Sequence, residues 1–166
     1  HQGANRLHGV VHDLRAVIEP HRAERQWLFV RNRGELYYLD MQASVDIDVV
    51  RFRAELSAGL RLRSSAKEAI PHLERAVELY RGDLFEDEPF AEWCETEREH
   101  LRDSCLEALE LLAQLHARGA RNDQALACLR RALALSPFRE DLLLAKMELL
   151  ARMSRPAEAL SAYEEY

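Results

Sequence analysis

Apolar positions along this chain recur mainly on a helical period. In residues 5–19, Leu7, Val11, Leu14 and Ile18 form one stripe with Val10 and Val17 beside it, while Asn5, Gly9, His12 and Ala16 point the other way. Pro20 ends this run because it cannot continue a helix. The pattern then changes. Gln26-Trp27-Leu28-Phe29-Val30-Arg31 and Leu36-Tyr37-Tyr38-Leu39 are rich in aromatic and β-branched residues. Asn32-Arg33-Gly34-Glu35 lies between them, and Gly34 supplies the permissive backbone of a tight turn. These residues predict a β-hairpin with a basic tip.

From Asp46 onward only helical spacing is left. Val49, Phe52 and Leu56 share one face of a first helix. A second opens on Ser65-Ala66-Lys67-Glu68, a capping box in which the serine and glutamate side chains satisfy free amides at the helix start. It carries Ile70, Leu73, Ala76, Val77 and Tyr80 inward and stops at Arg81-Gly82-Asp83. An acidic loop, residues 84–89, leads into a long helix over 90–118, closed by Gly119 as C-terminal cap. Asn122 or Asp123 caps the next helix, which ends before Ser136-Pro137; two more follow near 140–153 and 156–166, with Pro156 suited to a first helical turn.

An internal period of 34 residues runs through the last part. A unit from Leu106 to Pro137 puts Leu109 and Leu112 on first-helix core positions. Ala125 and Ala132 then stand at the close helix crossing, with the bulkier Leu129 between them. Ala125-Leu126 returns as Ala159-Leu160, and Leu129 as Tyr163. Such pairs cannot bury both faces alone and must stack. The expected fold class is mainly α, built of tetratricopeptide-like antiparallel helix pairs, with an N-terminal helix and β-hairpin ahead of them.

Composition agrees. Hydrophobic residues make up 48% of the 166, and 6 Gly with 5 Pro leave little room for many short strands. No apolar run approaches the roughly 20 residues needed to span a bilayer, and the start HQGANRLHG lacks the apolar core of a signal peptide. Cys94, Cys105 and Cys128 are odd in number and without metal-ligand spacing, which suits free thiols in the cytoplasm. The charge is uneven. Residues 1–33 hold six Arg against Asp13, Glu19 and Glu24, a net of +3, whereas the rest carry 17 basic and 26 acidic side chains, a net of −9. A basic end of this kind can face nucleic acid; the acidic body would be repelled from it.

Several stretches together resemble the bacterial transcriptional activator domain, the helical module of antibiotic-pathway-type transcription regulators. Val45-Asp46-Ile47-Asp48-Val49-Val50-Arg51-Phe52 looks like its opening, and Ala76-Val77-Glu78-Leu79-Tyr80-Arg81-Gly82-Asp83-Leu84, followed by Trp93, is similar to its "A…lYrGdlL" signature. The preceding segment resembles the end of a winged helix-turn-helix. Residues 7–15 look like a recognition helix closing on Leu14-Arg15, and Arg33-Gly34-Glu35-Leu36-Tyr37-Tyr38-Leu39 is similar to the wing, with Leu36 in place of its second glycine. The resemblance implies two domains, a partial winged helix over 1–41 and the activator domain over 42–166. The helices that come before a recognition helix in that family lie outside this sequence, so the chain is expected to be part of a longer regulator.

By this resemblance the recognition helix enters the major groove of promoter DNA and the wing touches the backbone beside it. The helix would offer Gln2, Asn5, His8 and His12, with Arg15 at the flank; Asn and Gln can pair with adenine, and Arg with guanine or phosphate. Arg31, Asn32 and Arg33 on the hairpin are candidate phosphate contacts, while Asp13 and Glu19 weaken the face. Arg15 has a second reading as a structural salt bridge to the helical body. The repeats would contact the transcription machinery, another regulator domain or a second protomer. The alternative is a pure interaction scaffold that does not bind DNA.

Other chemistry finds little footing. His8 and His12 stand at i, i+4, but no third ligand or H-E-x-x-H motif accompanies them, so no metal is expected. Glu86-Asp87-Glu88 lacks the alternating oxygens and glycine of a calcium loop and reads as a solvated turn. No nucleophile elbow or phosphate-cradling glycine loop is present, so neither enzyme activity nor a cofactor is expected.

Overall fold

The computed structural model describes residues 2–20, 27–34, 36–40 and 46–165, with the side chains of 2–5 outside that description. The chain divides into two compact units, His1–Ile47 and Asp48–Tyr166. The domain boundary expected at residue 41 falls within 41–45, outside the described residues.

The first unit holds helix α1 (Gln2–Ile18) and the strands β1 (Val30–Arg33) and β2 (Leu36–Leu39), paired antiparallel. Arg33 pairs with Leu36, so only two residues turn the chain, and Gly34 takes φ +63 there. The left-handed backbone asks for glycine at that point. Strand structure starts later than the aromatic run suggests. The amides of Leu28 and Phe29 donate to the Glu19 carboxylate instead of to a ladder, and Gln26 lies outside the described residues. Of the α1 stripe, Val11 is buried, while Leu7, Leu14 and Ile18 remain exposed. A two-stranded ribbon is too narrow to cover a full apolar helix face.

The second unit contains α2 (Asp48–Arg61), α3 (Ala66–Leu79), a 3-10 turn (Glu92–Cys94), α4 (Glu95–Arg118), α5 (Asn122–Leu135), α6 (Glu140–Arg152) and α7 (Pro156–Glu164). Consecutive helices pack as pairs, α2 with α3, α4 with α5 and α6 with α7, and the pairs stack through α3 on α4 and α5 on α6. One hydrophobic core runs through the stack. Every inward position expected on α3 is buried, as are Leu109, Leu112, Ala125, Leu129 and Ala132. Gly59 lets α2 approach α3 closely, for a Cβ there would stand 2.6 Å from the Leu73 side chain.

The 34-residue period is written into the backbone as well. α4 ends at Arg118 and α6 at Arg152; α5 starts at Asn122 and α7 at Pro156. Both turns use the same hydrogen bonds, from Arg121 N to His116 O and from Arg155 N to Leu150 O, each 2.9 Å. Their left-handed residues are Ala120 (φ 56) and Ser154 (φ 58), so the residue with positive φ follows Gly119, which itself stays at φ −86. Tyr163 does not repeat the burial of Leu129; it is exposed on α7, which packs chiefly on α6.

The helix starts differ from their sequence signals. Ser65 stands at the N-cap of α3 but makes no side-chain capping bond, and Arg121, not Asn122 or Asp123, is the N-cap of α5. The long helix expected from residue 90 starts as the 3-10 turn at Glu92 and becomes α-helical only at Glu95.

Candidate functional site

In the first unit the candidate nucleic-acid residues fall into three groups. Gln2 and Asn5 lie on α1, with side chains outside the described residues. His12, Asn32 and Arg33 are exposed and free to meet a ligand. His8, Arg15 and Arg31 are engaged within the unit. Arg15 donates through Nε and Nη2 to the Val30 carbonyl at 2.9 and 2.7 Å. Its guanidinium also lies 5.5 Å from the Trp27 ring centre and 5.4 Å from that of Tyr37. Such stacking suits the planar guanidinium. Arg15 therefore forms a clasp between α1 and the hairpin. The Tyr37 hydroxyl and His8 Nδ1 share a hydrogen bond, with the two rings edge to face at 5.6 Å. Arg31 pairs with Asp40 at 3.0 Å.

Glu19 needs a different reading from the one its charge suggests. It is buried, and its carboxylate accepts amide hydrogens from Leu28 and Phe29 at 2.9 to 3.1 Å. It is thus turned into the unit as an anchor for the strand entry rather than displayed beside the α1 surface. Sequence reasoning missed this role, as it missed Trp27 and Tyr37; a carboxylate just ahead of Pro20 carries no local signal of where its acceptors will be used.

In the second unit the Tyr80–Leu84 signature has a physical explanation. Tyr80 is buried at the end of α3, and its hydroxyl donates to Asp83 Oδ1 at 2.7 Å. Arg102, one helix away on α4, donates to both oxygens of the same carboxylate. Burial and the Asp83 charge push the Tyr80 hydroxyl pKa well above its ordinary value. Burial pushes Asp83 up, but hydrogen bonds from Arg102 and Tyr80 outweigh it and hold the carboxyl below its usual range. A Cβ at Gly82 would meet Glu86 Oε2 at 2.5 Å, a contact that the exposed Glu86 side chain can relieve by moving. Tyr80, Gly82 and Asp83 line a cleft of about 260 Å³ with Val49, Phe52 and Leu101.

Arg98, one turn before Arg102, holds the acidic loop. Its guanidinium donates to the carbonyls of Leu84 (2.8 Å), Glu88 (3.0 Å), Pro89 (3.1 Å) and Phe85 (3.3 Å). Arg131 of α5 acts similarly on the end of α3, donating to Val77 O and Tyr80 O at 2.7 and 2.8 Å. These three arginines escaped sequence reasoning; the spacing of Arg98 and Arg102 at i, i+4 behind an Arg-Gly-Asp turn was the one available signal.

A second hollow of about 310 Å³ lies between α3, α4 and α5, lined by Glu74, Val77, Leu112, His116, Cys128 and Arg131. His116 is 4% exposed, and burial together with the Arg121 charge lowers its pKa against an opposing pull from Glu74. Burial also raises the Cys105 and Cys128 thiols to about 11, which keeps them protonated and unreactive. Neither hollow joins an activated nucleophile to a base. Among the described residues no helix is long and apolar enough to cross a membrane.

A family model described as the bacterial transcriptional activator domain matches residues 47–166, the whole second unit and the residue before it. No curated protein matches the chain.

Proposed function

The chain belongs to the bacterial transcriptional activator domain family, and from that premise we propose that it serves a transcription regulator in two ways. Residues 42–166 make protein–protein contacts through the stacked helix pairs, with the transcription machinery, another regulator domain or a second protomer. Residues 1–41 act as the recognition helix and wing of a winged helix-turn-helix on promoter DNA, within the cytoplasm.

The observation that carries the DNA half is the clasp between α1 and the hairpin. Arg15 and His8 tie the helix to β1 and β2, so the exposed His12, Asn32 and Arg33 belong to one rigid unit. Preorganised polar groups of this kind suit phosphate contact, which fixes register, ahead of base reading. The test is promoter binding by the full-length regulator, measured by fluorescence anisotropy across a salt series. Arg33→Glu should weaken binding and lower the salt slope by about one. Binding that is absent, or insensitive to salt, would sink the DNA half.

A second reading, an interaction scaffold without DNA contact, draws on the same geometry. Arg31 is paired with Asp40, and Arg15 and His8 are turned to the hairpin, which leaves fewer free cations than the sequence suggests. If Arg31→Glu combined with Arg33→Glu leaves promoter activation intact, the scaffold reading replaces the first.

A further inference from the structure

Phe85, Phe90 and Trp93 are 51%, 94% and 72% exposed, three large aromatic side chains on one short segment between α3 and α4. Phe85 and Trp93 pack on each other with ring centres 5.0 Å apart. Exposed apolar surface of this density on a folded protein usually marks a place where something binds.

This segment is also held in shape before any partner arrives. Arg98 ties down four of its carbonyls, the Cys94 side chain is buried beneath it, and Phe85 is kept in a left-handed backbone (φ 52) that a bulky residue rarely adopts. Strain kept in place by a surrounding network, under aromatic rings that stay exposed, is better explained by recognition than by folding. Within residues 84–95 every charged side chain is acidic, and Arg98 brings one positive charge against the segment. Glu86, Asp87, Glu88, Glu92 and Glu95 are all exposed, and Arg98 directs its N–H groups at main-chain carbonyls rather than at these carboxylates. A hollow of about 260 Å³ between Phe90 and Glu95 adjoins them.

We infer that the aromatic face of residues 85–93 is a docking surface for an arginine-rich segment of a protein partner, one that carries apolar side chains between its arginines. The guanidinium is the group that satisfies both halves of the site, since it stacks on aromatic rings and pairs with carboxylates. Duplex DNA is disfavoured because the carboxylates repel phosphate. The inference rests on the reading of the helical module as a protein-contact domain and is independent of the DNA half.

The test uses the whole chain with Trp27→Phe, which leaves Trp93 as the single tryptophan of the two. A short synthetic peptide alternating arginine with leucine is titrated while Trp93 emission is followed, beside the same peptide with glutamate in place of arginine. A saturable, salt-sensitive change is expected with the first peptide alone. Phe90→Ser, and Glu86→Lys combined with Glu88→Lys, should each weaken it by about tenfold or more, the loss typical of a hot-spot contact. Phe90 is so exposed that its replacement leaves the helical circular dichroism unchanged, which separates lost docking from lost folding. No saturable change, or equal binding by the variants, overturns the proposal. So does sedimentation showing that the chain self-associates and that Phe90→Ser makes it a monomer, which assigns the face to a second copy. Retained promoter activation by full-length regulator bearing Phe90→Ser, with peptide binding lost, overturns this surface's part in regulation while leaving the proposed function standing.

Discussion

Replacing Gly59 with alanine sets two effects of known size against each other. An alanine Cβ at this position would stand 2.6 Å from both Cγ and Cδ2 of Leu73 and 3.3 Å from its backbone nitrogen. Carbon atoms in ordinary contact sit about 3.5–4.0 Å apart, so the methyl intrudes by about 1 Å. Leu73 is wholly buried and has nowhere to go. Overpacking of this kind costs about 1–3 kcal/mol, whereas Gly→Ala within a helix returns about 1 kcal/mol of propensity. The expected net is a destabilisation of up to about 2 kcal/mol, because the clash is with a side chain locked in the core. Urea unfolding followed by far-ultraviolet circular dichroism should show the midpoint fall by up to about 1 M, given a slope of about 2 kcal/mol/M. A double-mutant cycle isolates the cause. Leu73→Ala alone should cost about 2–5 kcal/mol, and in that background Gly59→Ala should be neutral or stabilising, as the methyl enters vacated space. If Gly59→Ala stabilises both backgrounds equally, α2 and α3 do not approach as described and the reasoning fails.

The two repeat turns each hold a non-glycine residue at positive φ, so Ala120→Gly and Ser154→Gly should each raise stability by up to about 1 kcal/mol; thermal denaturation would show it, and a loss at both positions would refute the shared turn. Arg98→Lys keeps the charge but cannot span four carbonyls, and hydrogen exchange should show the loop amides of Glu88 and Ala91 exposed while the core of α3 stays protected. Asp83 is held below its ordinary pKa, so as pH falls through about 4 the unfolded chain takes up its proton first and stability present at neutral pH is lost. Asp83→Asn should flatten that part of the stability-against-pH curve, and an unchanged slope would remove Asp83 from the account.

The resemblance that pointed to an activator domain rested on short motifs, and the structure supplies their physical content. Tyr80 and Asp83 belong together because the tyrosine hydroxyl and Arg102 share one carboxylate at the end of α3. The regular spacing of Leu109, Leu112, Ala125, Leu129 and Ala132 led directly to the core of a helix pair. Where the same spacing overreached, as at Leu7, Leu14 and Ile18, it measured only the apolar face of α1 and could not say how much of that face a neighbour covers.

Alone, the order of residues determined that the chain is helical, that its helix pairs recur every 34 residues, and that Gly34 turns a hairpin. These properties depend on local averages, the period of apolar positions and the φ range open to a single residue. The tertiary structure decided which polar groups do structural duty. Ser65 carries a capping signal and makes no side-chain cap, and Asn122 falls inside α5 behind the N-cap Arg121, while Glu19, Arg15, Arg98, Arg102 and Arg131 satisfy groups 9 to 54 residues away. A polar side chain takes its partner from whatever unsatisfied donor or acceptor the folded chain brings within about 3 Å, and no periodicity records that distance. For the same reason part of the positive charge legible at the N-terminal end is engaged within the first unit, where Arg15 and Arg31 are turned to partners of their own.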